Sequence, residues 1–266
     1  MGLMQRKNIK KMIMDGEMVV GLTAHLMDPA VVEIAGLTGF DFVRLEGEHF
    51  MPDWATIRSF AQAADNVGIP LLMRVNRLDD ITALNDLGLA GYQIPHVQTA
   101  EQAKKIVEMV KYAPVGARGM AKHVRAQKYG FTPFDEYHQF AAEETLLIVQ
   151  IEDKQGIENM EDIIAVEGID VICSGKADIS QALGIIGQLG DERVREVESR
   201  IISLAKKHGK KLMILGRNKE DWQQLIADGS TTITEHVVDI DLLIKGALEA
   251  RKEVAFLKEA MENRKK

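Results

Sequence analysis

Leu146-Leu147-Ile148-Val149-Gln150-Ile151-Glu152 is a short apolar run of strand character, and Asp170-Val171-Ile172-Cys173-Ser174 is a second. Between them, residues 156–166 carry a helical period. A strand, a helix and a strand in that order form a crossover unit, because parallel strands cannot be joined by a tight turn and the connecting helix covers the sheet. The same alternation extends in both directions. Strands are predicted over 18–23, 41–45, 70–75, 91–95, 211–215 and 231–235. Helices are predicted over 28–39, 52–66, 79–87, 100–112, 192–207, 219–227 and 240–261. Eight strands, each followed by a helix, make an α/β fold of the (β/α)8 TIM-barrel type. A doubly wound open sheet is the competing arrangement, and the lack of a Gly-x-Gly-x-x-Gly fingerprint after the first strand counts against it. No Pro/Gly/Ser-rich linker interrupts the pattern, so residues 1–266 read as a single domain. The stretch 113–145, with a short helix over 134–144, is long for a barrel connection and is expected to build or cover the active face.

Composition agrees with one large buried core: 46% of residues are hydrophobic and 27% charged. Aromatic residues are only 5% while Met numbers 13, which leaves little for a base-stacking surface. A formal charge of -7 disfavours nucleic acid and anionic membranes as partners. The longest uncharged stretch, 87–100, is too short and too polar to span a bilayer. A single cysteine, Cys173, permits no intrachain disulfide. With no secretion-type apolar segment after the basic residues 1–11, a cytoplasmic location is expected.

Barrels carry their chemistry at the C-terminal strand ends. There the sequence places Glu46-Gly47-Glu48-His49, Arg74, His96, Gln150 with Glu152, the run Gly175-Lys176-Ala177-Asp178, and Glu235-His236. Alternation sends Gln150 and Glu152 to one face. Adjacent strand ends would let Glu152 and Asp178 approach one cation, and two carboxylates without Cys or paired His suit a hard divalent ion such as Mg or Mn. Each carboxylate has a plainer reading as a helix cap or ion-pair partner, Asp178 in particular as the N-cap of a helix beginning at Ile179. His25 and His96 lie on the active face without an evident role, and Cys173 reads as a small core residue.

The strings 46–49, Leu72-Met73-Arg74-Val75, Gly116-Ala117-Arg118-Gly119, 149–152 and 175–180 occur in an order that resembles the HpcH/HpaI aldolases, metal-dependent enzymes acting on 2-keto-3-deoxy acids. The resemblance extends over nearly the whole chain. It implies that Glu152 and Asp178 hold a divalent metal ion (Mg, Mn or Co), that Gln150 and Arg74, with Gly175 and Lys176 nearby, bind the 2-oxo acid, and that His49 handles the proton of its 4-hydroxyl group. It implies a reaction splitting a 4-hydroxy-2-oxo acid into pyruvate and an aldehyde. It also implies a homo-hexamer built from trimers, in which Asp86 reaches the histidine of a neighbouring active site. The chain departs from the family at Glu46, where Asp is usual, and at Lys176, where Pro is usual.

Three other functions compete. Lys176 could form a Schiff base without metal, the barrel could act on an acyl-coenzyme A ester, or it could bind a 2-oxo acid without turning it over. The charged tail 251–266, with apolar Val254, Phe256, Leu257 and Met261, reads as a helix with one packed face whose place at the chain end suits exchange with a neighbouring subunit.

Overall fold

The computed structural model describes residues 6–216 and 218–264, without the side chains of His236 and Glu259. Its eight strands are β1 (Val19–Ala24), β2 (Phe42–Leu45), β3 (Leu71–Arg74), β4 (Gly91–Ile94), β5 (Leu146–Ile151), β6 (Val171–Ser174), β7 (Lys211–Met213) and β8 (Ile233–Val238). All seven ladders are parallel, in the order β7-β6-β5-β4-β3-β2-β1-β8. The two outer strands meet where the backbone N–H of Thr232 donates to the carbonyl of Leu212 at 3.0 Å, so the sheet rolls into a nearly closed barrel. This is the expected (β/α)8 architecture.

Side-chain alternation sorts the strands into two apolar layers. Val43 and Leu45 of β2 and Leu147, Val149 and Ile151 of β5 face outward, packing with Phe60, Ile106, Ile163 and Ile201 of the surrounding helices. Their neighbours Phe42, Leu146 and Ile148 point into the barrel beside Leu72, Val171 and Ile233. The inward series changes character with height. Above Phe42 come Arg44 and Glu46, above Leu72 comes Arg74, and above Ile148 come Gln150 and Glu152. The lower barrel is therefore a dry core and the upper barrel a polar cup.

The base of the barrel is stoppered. Helix α1 (Ile9–Asp15), absent from the sequence prediction, is capped by Asn8, whose side chain accepts from the Lys11 N–H at 2.8 Å, and it ends at Gly16 with φ +88°. Ile9 and Ile13 are buried in the inner cluster with Phe42. Two helices predicted as continuous are divided, one at Asn159 and the other at Val254, where the residue between the segments leaves helical geometry. Strand β7 stops at Met213, two residues short of expectation, and the carbonyl of Leu215 instead accepts from Lys176 Nζ at 2.6 Å. No described helix is long and apolar enough to cross a membrane.

Candidate active site

The upper barrel opens into a cavity of about 700 Å³ lined by Arg44, Glu46, His49, Arg74, Gln150, Gly175, Lys176, Asp178 and Glu235, among others. Glu46 organises one wall. One of its oxygens accepts from the backbone N–H groups of Glu48 (2.7 Å) and His49 (3.3 Å), so it shapes its own loop. The other accepts from the Arg44 guanidinium at 2.7 Å and lies 3.5 Å from Arg74. Arg74 also pairs with Glu48, which leaves its planar fork wedged between two buried carboxylates at the end of β3. Gly47 is needed beneath it, since a Cβ there would stand 2.5 Å from the Arg74 carbonyl oxygen. Arg44 in turn pairs with Glu235 and donates to Thr23 Oγ1 at 3.2 Å.

Burial alone would raise the Glu46 carboxyl, but the charge and hydrogen bond of Arg44, with Arg74 and the Glu48 N–H, overcome it and hold the group at about 2. A folded-state value below the unfolded one stabilises the protein fully above pH 4.5, and that contribution is lost as the pH falls toward 2. Glu46→Gln should therefore narrow its stability gap to the wild type as pH drops through this window, as read by denaturant unfolding at a series of pH values. A gap unchanged with pH would show that the ionised carboxylate adds nothing.

On the opposite wall, Gln150 and Glu152 share a face, as alternation requires. Gln150 Nε2 donates to Glu152 Oε2, and the second Glu152 oxygen accepts from the His96 N–H at 3.0 Å. The Glu152 carboxylate is fully buried, and burial raises its proton affinity, with the nearby charge of Asp178 pushing the same way. Gly175 makes room for it, because a Cβ at that position would lie 2.1 Å from Glu152 Oε2. Asp178 lines the cavity from the helix Lys176–Ala182. The N-cap reading of Asp178 is corrected: the helix starts at Lys176 with Gly175 as its cap residue, so Asp178 occupies the first turn and makes no cap bond.

Glu152 and Asp178 are close enough for the Asp178 charge to act on Glu152, and carboxylate oxygens are the donors that suit a hard divalent cation. Among the described residues, no three His, Cys, Asp or Glu side chains gather as a metal site.

The remaining predicted residues are dispersed. His49 is exposed at the cavity rim with Nε2 3.7 Å from Glu48. Lys176 borders the cavity, but its ammonium is turned to Glu198 (3.2 Å) and the Leu215 carbonyl, neither toward Asp178 nor to solvent. Asp86 lies in a separate outer groove with His123 and Arg125, remote in its own chain from His49. Cys173 is buried, and burial raises its thiol. His25 stacks on Phe50 with ring centroids 4.5 Å apart, and burial lowers its pKa.

Arg44, Gln93 and Glu235 are inner-wall groups that the sequence did not single out for roles. Arg44 was findable, standing two residues before Glu46 and hence on the same strand face. His96 and Glu48 also prove central: His96 Nε2 is 3.0 Å from Glu48 Oε1, and His96 Nδ1 is 3.4 Å from Glu152 Oε1.

Comparison with known proteins agrees with this fold. Residues 20–245 match the family model described as HpcH/HpaI aldolase/citrate lyase. The 5-keto-4-deoxy-D-glucarate aldolase of Citrobacter koseri is 33% identical over 216 residues, covering 80% of this chain and 83% of that protein. Among solved structures, an HpcH/HpaI aldolase from Desulfitobacterium hafniense DCB-2 superposes with a TM-score of 0.84 at 26% identity, covering 92% of this chain and 96% of the other. The citrate synthase SbnG superposes with a TM-score of 0.82 at 30% identity, covering 95% and 98%.

Proposed function

The chain belongs to the HpcH/HpaI aldolase/citrate lyase family, and from that premise we propose that it is a divalent-metal-dependent aldolase. It would reversibly cleave a 4-hydroxy-2-oxo acid or 2-keto-3-deoxy sugar acid into pyruvate and an aldehyde. The observation that carries this reading is that Arg74, Gln150 and Asp178 line one polar cup, with Glu152 buried directly behind Gln150 and hydrogen-bonded to it.

Cleavage of the C3–C4 bond leaves an electron pair that survives only as an enolate, with charge on the 2-oxo oxygen. A cation held by Glu152 and Asp178 would supply Lewis acidity there. Arg74 presents a guanidinium pre-set by Glu46 and Glu48, so little reorganisation accompanies the appearance of the oxyanion. Gln150, fixed by its bond to Glu152, orients the oxo acid. His49 takes the 4-hydroxyl proton as the C3–C4 bond breaks and the aldehyde carbonyl forms, and a proton delivered to C3 then releases pyruvate. Asp86, remote from its own cavity, fits the inter-subunit role, orienting His49 of a neighbour in a trimer-based homo-hexamer. The setting is a small-molecule reaction in the cytoplasm. The engaged ammonium of Lys176 weighs against the Schiff-base alternative.

The test is pyruvate release from a panel of 4-hydroxy-2-oxo acids. A chelator should suppress turnover at least about tenfold, and Mg, Mn or Co should restore it. Full turnover in chelator, with inactivation by borohydride plus pyruvate, would transfer the chemistry to Lys176.

A further inference from the structure

His96 follows Pro95, the first residue after β4, and adopts φ +53°, a left-handed conformation that residues with side chains occupy at a cost and that the surroundings must hold in place. What holds it is visible. Its backbone N–H donates to Glu152 Oε1 at 3.0 Å, and its Nδ1 stands 3.4 Å from the same oxygen and 3.7 Å from Asp153 Oδ2. The far nitrogen, Nε2, lies 3.0 Å from Glu48 Oε1. Glu48 lies in the loop after β2 and Glu152 directly follows β5, with β3 and β4 between those strands in the sheet. The imidazole spans that gap, its two nitrogens facing the two carboxylates. Glu48 is nearly buried and pairs through its other oxygen with Arg74.

We infer that His96 is a positioning residue, which clamps Glu48 against Arg74 and thereby locks the oxyanion-binding fork to the Glu152 wall of the cup. The strained backbone is what aims the ring. An extended residue after Pro95 would send its side chain elsewhere, whereas the left-handed turn brings both the N–H and the ring to Glu152. Without the ring, Glu48 retains Arg74 and the longer approach of His49 at one oxygen but loses the 3.0 Å partner of the other, and the guanidinium gains freedom in the ground state that it must give up in the transition state.

The catalytic consequence rests on the aldolase reading, but the positional one does not, so the test has two arms. His96→Asn is the chosen variant because Asn tolerates the left-handed backbone and keeps the N–H to Glu152, while its amide is too short to reach Glu48. In crystal structures of the variant, Glu48 should adopt a changed or multiple orientation with the Arg74 guanidinium displaced. An unaltered Glu48–Arg74 pair overturns the inference whatever the activity.

In the kinetic arm, kcat for pyruvate release should fall about tenfold with KM for the oxo acid within about twofold. Glu48→Gln should give a similar loss, and the double variant should be no worse than about threefold below the weaker single, since both changes break one clamp. Multiplicative losses, or wild-type kcat in His96→Asn, overturn the inference. A wild type silent toward all oxo acids would instead count against the aldolase reading and leave the crystallographic arm to decide this one. If His96→Asn is unstable, His96→Gly carries the same expectations.

Discussion

Arg74→Ala should lower kcat/KM for pyruvate release roughly a thousandfold, the scale seen when a fixed donor to a developing oxyanion is removed from a dry site. The loss should extend to exchange of the pyruvate methyl protons in deuterated solvent, because that exchange passes through the same enolate. His49→Ala separates the two assays: cleavage should suffer more than exchange, as only cleavage handles the 4-hydroxyl proton. Arg74→Lys is expected to fall between wild type and Ala, since an ammonium keeps the charge but cannot present a planar fork to both the substrate and the carboxylates of Glu46 and Glu48. Part of the Ala effect will be structural, because Glu48 is left buried beside Glu46 without its cation. Thermal unfolding of the same variants measures that part. Equal losses in cleavage and exchange for both the Arg74 and His49 variants would dismantle the division of labour.

Gly175→Ala is the second large effect. The new methyl would sit 2.1 Å from Glu152 Oε2, 2.7 Å from Gln150 Nε2 and 2.8 Å from Glu152 Cβ, so a buried carboxylate, not a flexible chain end, must move. Divalent-ion affinity should fall by about 10–100-fold, the cost of misorienting a ligand shell, and turnover with it. Isothermal titration with Mn, run beside circular dichroism, reads the first without requiring substrate. Retained ion binding in a folded Gly175→Ala protein would mean that Glu152 is not a ligand. The neighbouring Gly184, where no atom lies within 4 Å of an added Cβ, is an instructive contrast, because its demand is only for positive φ.

The barrel was legible because its signal is periodic. β5 opens with four consecutive apolar residues and β6 with three, as strands buried on both faces do, and helical segments separate the strands throughout. Gln150 and Glu152 were legible for the same reason: a period of two puts them on one wall, and the structure joins them by a hydrogen bond. What escaped was whatever depends on which strands become neighbours in space. Arg44 and Glu235 are 191 positions apart in the chain and pair only because β1 lies between β2 and β8 in the closed sheet. The His96 bridge depends on a backbone conformation that no residue type announces. Lys176 misled in a different way, since its long stem lets the charge land on Glu198, far from the residues beside it in sequence. Helix α1 was missed because seven residues are too few to show a period.

The packed lower barrel, with Ile9 and Ile13 at its base, has a kinetic meaning. A cup closed at its base has a single doorway, so two molecules made inside it must leave by the same route. For the proposed cleavage, the fragment bonded to C4 lies on the His49 side, at the rim, while the oxo-acid fragment lies deeper against Gln150 and Glu152. On that reading the aldehyde would depart first and pyruvate last, and in the reverse direction the deep seat would fill before the shallow one. Architecture at the bottom of the barrel, far from any reacting atom, would thereby impose a queue on the proposed reaction at the top.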